Sequence, residues 1–171
     1  MVISQLIRDL NLTSRLAYQA QPLQKNECSP AQLLRECVAD IYNEGIDQNY
    51  EIDVFVPEEA EQIKVLADEG LIRRALRNLL GNSIRHNPHG CRISASLCVR
   101  EEGISCLIRD TGVGIPAVVI WNMKKQSSSI HIMGLRLTSQ IAKAHGGELV
   151  FVKRESGTYD AEFWIPRLHN E

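Results

Sequence analysis

Two stretches of the chain place polar groups at spacings suited to binding chemistry. The first is EGLIRRALRNLLGNSIRH, residues 69–86, where Asn78 and Asn82 stand four residues apart. At about 100° per residue, Ile72, Ala75, Leu76, Leu79 and Leu80 form an apolar stripe, and Asn78, Asn82 and Arg85 share one border of it. Asparagine is a poor helix former because its side chain competes for backbone hydrogen bonds. Two of them beside a core stripe suggest a task for the amides. An amide oxygen is a hard neutral ligand suited to Mg²⁺ beside phosphates, and arginine suits the phosphate itself. Two solvated polar residues on a helix flank would give the same pattern.

The second stretch is RDTGVGIP, residues 109–116. Ile104, Cys106 and Ile108 alternate along one strand face, and Asp110 has the same parity. Its carboxylate is therefore expected on the covered side of a sheet, where it needs donors. The six-amino group of adenine is one such donor. Gly112 and Gly114 leave room for a flat ring against the backbone and allow positive φ. An ordinary Asx-type turn after an edge strand remains open as the plainer reading.

The elements that must position these groups follow from pattern. Residues 2–20 read as a helix whose Ile3, Leu6, Leu10, Thr13, Ala17 and Ala20 form a heptad-like seam, for packing on its own domain or on other helices. A second helix is expected over about 30–45, with Gly45 as its stop. EIDVFV and EQIKVLAD read as half-buried strands, and Asp68 as the N-cap of the asparagine helix. RISASLCVR and ISCLIRD make a hairpin, 117–131 reads as a low-order stretch, a helix runs from about 133 to 145, and ELVFVKRE with YDAEFWIP makes a last hairpin. Helices on one face of a mostly antiparallel sheet is the α+β solution.

The bulk composition agrees. The 171 residues are 44% apolar and 23% charged with a net charge of −2, the profile of a soluble globular domain and no footprint for nucleic acid. No membrane span or signal peptide is legible. The five cysteines contain no CxxC pair and read as reduced cytosolic thiols, and HNPHGC fits no common zinc spacing.

The order of the pieces resembles the Bergerat-type ATP-binding fold shared by sensor histidine kinases, gyrase-type ATPases, Hsp90 and MutL. NLLGNSIRH looks like the N-box, DTGVGIP like the first glycine box, and MGLRLTSQIAKAHGGEL like the second with its following helix. The AHGG ending and closing FWIP resemble the histidine kinase branch, and residues 1–27 the end of a dimerisation helix and its linker, ahead of a catalytic domain over 28–171. The fold implied is a two-layer sandwich, a mixed, mostly antiparallel sheet covered on one face by helices and preceded by an N-terminal helix.

The resemblance also implies roles. Asn82 would hold Mg²⁺, Asn78 would position water or the metal's shell, Arg85 would stand where the family usually has a lysine facing phosphate, and His86 where it often has tyrosine. Asp110 would bind the adenine amino group, Gly112 and Gly114 would shape the base pocket, and Ile115 would lie against the ring. Gly134 and Leu135 would open a helix whose free N–H groups face the phosphates. ATP and Mg²⁺ are the implied cofactors. The implied partners are a dimerisation domain carrying the acceptor histidine and a response regulator receiver domain. The implied location is a cytoplasmic domain of a parent protein at the inner or cell membrane, with this stretch alone a monomer or weak dimer. The sequence departs from the family pattern at the second glycine box, which keeps only Gly134 and brings Ile132 and Met133 instead, and none of the five histidines lies in residues 1–30. A nucleotide-independent interaction domain, or another Bergerat-type serine kinase or ATPase, are the alternatives.

Overall fold

The computed structural model describes residues 2–125 and 132–168. The chain begins with α1 (Val2–Ala17), β1 (Asn26–Cys28), α2 (Pro30–Asn43), β2 (Tyr50–Phe55) and α3 (Glu58–Glu61). Then come β3 (Val65–Ala67), α4 (Glu69–His86), β4 (Cys91–Val99) and β5 (Gly103–Asp110). The last elements are α5 (Ala117–Lys124), α6 (Met133–Ala144), β6 (Glu148–Lys153) and β7 (Tyr159–Pro166).

Five strands form one sheet in the order β2-β4-β5-β7-β6. Its pairs are antiparallel except β2 with β4, and that parallel pair is joined by the crossover through α3, β3 and α4. Ile93, Ala95 and Leu97 of β4, Ile104, Cys106 and Ile108 of β5, and Ala161, Phe163 and Ile165 of β7 are buried. They face the apolar stripes of the helices. α2 contributes Leu33, Leu34, Cys37, Val38 and Ile41, and α4 contributes Ile72, Ala75, Leu76, Leu79 and Leu80. This is the expected α+β sandwich, and the stripe read from the sequence of α4 is the buried one.

The local signals explain most helix ends. Ser29 caps α2 by accepting from the Gln32 N–H, with Pro30 in the first turn. Asp68 caps α4 through the Leu71 N–H. At the same Asp68, His145 follows α6 and sits buried between α6 and the start of α4. Its Nε2 accepts from the Asp68 N–H at 3.0 Å, so its Nδ1 carries the proton and donates to the Ile141 carbonyl at 2.7 Å.

Several sequence expectations are corrected. α1 ends at Ala17, not at 20, because Gln19 takes φ 54 and closes a Schellman turn: the Ala20 N–H reaches the Arg15 carbonyl and the Gln19 N–H the Leu16 carbonyl. The seam expected from the sequence is not the packed face: of its members Ile3, Leu10, Ala17 and Ala20 are exposed, and the helix packs through residues outside it. Leu16 is buried against α6, and Asp9 pairs with Arg74 of α4, whereas Ile3, Ile7 and Leu10 are 73%, 54% and 53% exposed. In EQIKVLAD only Val65–Ala67 is strand, since the preceding acidic residues wind into α3 after Pro57. β3 finds its partner in the short β1. The stretch expected to lack order holds α5 up to Lys124; residues 126–131 lie outside the described part. Cys28, Cys37 and Cys106 are buried, while Cys91 and Cys98 are half-buried, and all five are free. Burial pushes the Cys37 thiol up to about 11.

Candidate functional site

A cleft opens where the C-terminal half of α4 lies over the ends of β5 and β7. α4 supplies Leu79, Asn82, Ser83 and His86; β5 supplies Ile108 and Asp110; the following loop supplies Gly114 and Ile115. Tyr159, Asp160 and Ala161 of β7 close the other wall. Of the residues expected from the sequence, Asn82, His86, Asp110, Gly114 and Ile115 thus meet in one place.

Asp110 is set by two rules together. Strand parity aligns it with the buried Ile104, Cys106 and Ile108, and pairing puts it opposite Ile93. Its side chain is 9% exposed. Oδ1 accepts the Gly112 N–H at 2.9 Å and lies 3.5 Å from Arg154 Nη2. No hydrogen bond to Oδ2 occurs among the described residues, so one oxygen of a nearly buried carboxylate remains for a donor in the cleft.

The loop after Asp110 is stitched down on both sides. Ile115 and Tyr159 exchange backbone hydrogen bonds of 2.8 and 2.9 Å. Gly114 has φ +71, and a Cβ there would lie 2.8 Å from Arg154 Cζ. At Gly112 the structure shows a neighbour that the sequence did not. A Cβ on it would meet Asn87 Oδ1 at 1.7 Å, so the residue is kept small by the protein's own Asn87. Asn87 in turn is held by its Nδ2, which donates to the Ser83 carbonyl at 2.8 Å.

Behind the loop lies a charge network that sequence reasoning did not find. Arg154 Nε donates to Asp160 Oδ1 at 2.7 Å, and Arg154 Nη1 donates to the Gly112 carbonyl at 2.8 Å. Arg109 Nε donates to Asp160 Oδ2 at 2.8 Å. Asp160 is fully buried (0% side-chain exposure), Arg154 is 17% exposed and Arg109 56%. Burial alone would lower the Arg154 pKa, but the Asp160 and Asp110 carboxylates more than offset it and raise it. Each member stands next to a legible one: Arg109 beside Asp110, Asp160 in the last strand. Their meeting depends on β5 and β7 being neighbours.

The remaining expected residues are spread along the open side. Asn78 Nδ2 donates to the Gly134 carbonyl at 3.4 Å, joining α4 to the start of α6. Arg85 is exposed and bonds Asn82 Oδ1. Leu135 is buried in the core, so only its backbone can serve a ligand. Ile132 and Met133 are buried too, so their bulk is turned into the protein. α6 starts with no side-chain cap, which leaves its first N–H groups without side-chain acceptors. Among the described residues no cluster of three or more His, Cys, Asp or Glu is placed to hold a metal, and no helix is long and apolar enough to cross a membrane.

Residues 67–169 match the family described as histidine kinase-, DNA gyrase B-, and HSP90-like ATPase. Sensor histidine kinase YvrG of Bacillus subtilis (strain 168) is 31% identical over 156 residues, covering 86% of this chain and 27% of that kinase. Histidine kinase AdeS of Acinetobacter baumannii has a similar fold, with TM-score 0.74 and 20% identity over 98% of this chain and 80% of that one. Histidine kinase ThkA, solved in complex with response regulator protein TrrA, superposes with TM-score 0.73 and 22% identity over 98% of this chain and 49% of that one. The chain spans less than half the length of the first curated relatives that it matches.

Proposed function

The chain belongs to the histidine kinase-, DNA gyrase B- and HSP90-like ATPase family, and from that premise we propose that it binds Mg²⁺–ATP and donates its γ-phosphoryl group to a protein histidine. The observation that carries this reading is Asp110, a nearly buried carboxylate that lines the cleft and whose Oδ2 accepts no hydrogen bond among the described residues. A carboxylate in that setting selects a ligand with an N–H donor on a flat apolar body, which an adenine is. Ile108 and Ile115 would flank the ring. His86 and Arg85, both exposed beside the cleft, would meet the phosphates together with the uncapped start of α6.

Asn82 would hold Mg²⁺ through its amide oxygen, with Asn78 ordering the surrounding water. The donor chemistry fits, since neutral amide oxygens and water suit Mg²⁺ that stays bound to phosphate. Asn82 Oδ1 now accepts from Arg85, and a phosphate that draws Arg85 to itself would release that oxygen. Mg²⁺ would neutralise charge on the β- and γ-phosphates. The chain's own part is then to hold the base with Asp110 and to aim the γ-phosphate outward. The acceptor imidazole would come from a dimerisation helix outside this chain, and the phosphoryl group would pass on to a response regulator, the kind of partner with which ThkA was crystallised. Residues 1–27 would belong to that dimerisation helix and its linker, and 28–171 to the catalytic domain. The parent protein would sit at the cell membrane with this domain in the cytoplasm. The exposed Ile3, Ile7 and Leu10 are one side of a helical seam, which supports a monomer or weak dimer for this stretch alone.

Incubation with labelled ATP tests the reading. This chain should stay unlabelled, and an added dimerisation hairpin carrying its own histidine should acquire acid-labile, base-stable phosphate. Acid-stable label on this chain would instead make it a serine or threonine kinase.

A further inference from the structure

We propose that Arg154 is the residue that gives the cleft its preference for a base with an exocyclic amine, acting by positioning Asp110. The inference rests on the reading of this cleft as the adenine end of a nucleotide site. A carboxylate recognises an amine only if the correct oxygen faces it. Asp110 Oδ1 is turned away from that duty by two partners, the Gly112 N–H at 2.9 Å and Arg154 Nη2 at 3.5 Å. Arg154 also takes the Gly112 carbonyl at 2.8 Å, so one planar guanidinium grips both ends of the Asp110–Gly112 turn. Loss of that grip frees the carboxylate to rotate and the turn to drift.

Arg154 is itself immobilised. Asp160, fully buried, accepts its Nε at 2.7 Å, and Arg109 holds the second oxygen of Asp160 at 2.8 Å. Gly114 lies directly over the guanidinium, where a Cβ would come within 2.8 Å of Cζ. Arg154 does not line the cleft. It therefore acts through Asp110 and not by touching the base. Nε and Nη2 face Asp160, Nη1 takes the Gly112 carbonyl, and the same Nη2 stands 3.5 Å from Asp110 as an ion pair, an arrangement that needs directed donors in one fixed plane. A lysine could supply the charge but not the geometry.

The test compares ATP with ITP, whose base carries a carbonyl where adenine carries the amine, by calorimetric titration of the intact chain with Mg²⁺ present. Wild type should bind ATP at least about tenfold tighter than ITP, the effect of one hydrogen bond to a charged group. Arg154→Met and Arg154→Lys should each lower that ratio by about tenfold. Arg154→Lys keeps a cation beside Asp160, so it decides the matter if Arg154→Met does not fold. General loosening of the domain would weaken ATP and ITP in equal proportion and leave the ratio unmoved. An unchanged ratio in the folded lysine variant overturns the proposal. Asp110→Ala separates this from the underlying reading. If it abolishes the ATP preference while the Arg154 variants keep theirs, only the role of Arg154 is lost. If it leaves both nucleotides bound as before, the base site itself is misplaced.

Discussion

At Gly112 an added Cβ would lie 1.7 Å from Asn87 Oδ1, whereas at Gly81, on the helix that carries Asn82, it would meet nothing within 4 Å. The same contrast runs through the two ends of the cleft. Around Asp110, the loop is tied by a pair of backbone hydrogen bonds, the Gly112 N–H, a guanidinium bonded to the Gly112 carbonyl and to a fully buried carboxylate, and that guanidinium's ion pair with Asp110. Around Asn78 and Asn82 the ties are single bonds, one of 3.4 Å and one to an exposed arginine. α5, which leads from this loop toward the undescribed residues, buries none of its side chains fully and has no side-chain cap. If the base lies at the Asp110 end as proposed, a flat, uncharged base would be served there by a preformed slot, because any looseness would cost binding energy on every encounter. Phosphates and metal are bound by charge and reordered water, which tolerate groups that must still move into place.

The comparison can be broken most forcefully at Asp160. Asp160→Ala leaves Arg154 without its main partner, and orphaning one member of a buried pair is expected to cost roughly 3 kcal/mol, the lower end of the range because Arg109 is half-solvated. Urea unfolding measures it; a loss below about 1 kcal/mol would show that the Asp110 end is not cross-braced. Next in size is Gly112→Ala. Asn87 cannot simply swing aside, being bonded to the Ser83 carbonyl, so a cost of about 1–3 kcal/mol is expected. Gly81→Ala, in an open stretch of helix, should instead stabilise by about 0.5–1 kcal/mol. Equal effects at the two glycines would erase the contrast. The smallest stability effect is expected for Asn82→Ala, about 1 kcal/mol or less. Its consequence should appear in titrations with an ATP analogue as a loss confined to Mg²⁺-containing buffer. A loss of the same size without metal would remove the metal role.

How much of this was legible depended on sequence distance. The stripe of α4, its Asp68 cap and the border position of Asn78 and Asn82 all lie within one helix, so periodicity alone revealed them. Asp110 was placed correctly because parity along a strand is local. α5 was missed because AVVIW offers apolar residues on all sides and no helical period. β1 was missed because three residues carry no alternation to read. The Arg154–Asp160–Arg109 network was illegible for another reason. Arg109 and Asp160 are 51 residues apart and meet only because β5 pairs with β7, one step beyond the Ile108–Ala161 pair. The contact that keeps Gly112 small was hidden likewise, since its neighbour Asn87 is brought up by the turn that ends α4.

His145 makes the junction of α6 with the start of α4 answer to protons. Its Nε2 can accept the Asp68 N–H only while unprotonated; a proton there would set two donors face to face. Burial, the largest influence, lowers its pKa, and the bond to the Ile141 carbonyl opposes this; Lys25 lowers it further and Asp68 raises it. In the unfolded chain the ring titrates near about 6.5. Between the lowered folded value and that one, the unfolded chain binds more protons, so stability rises with pH across the interval. The contribution is complete above about 6.5 and disappears as pH falls through the folded value. Urea midpoints should therefore drop on mild acidification, and with His145→Gln, which has no titrating ring, this part of the slope should vanish. A single imidazole thus couples the first turn of α4, whose far end carries Asn82, to the acidity of the surroundings.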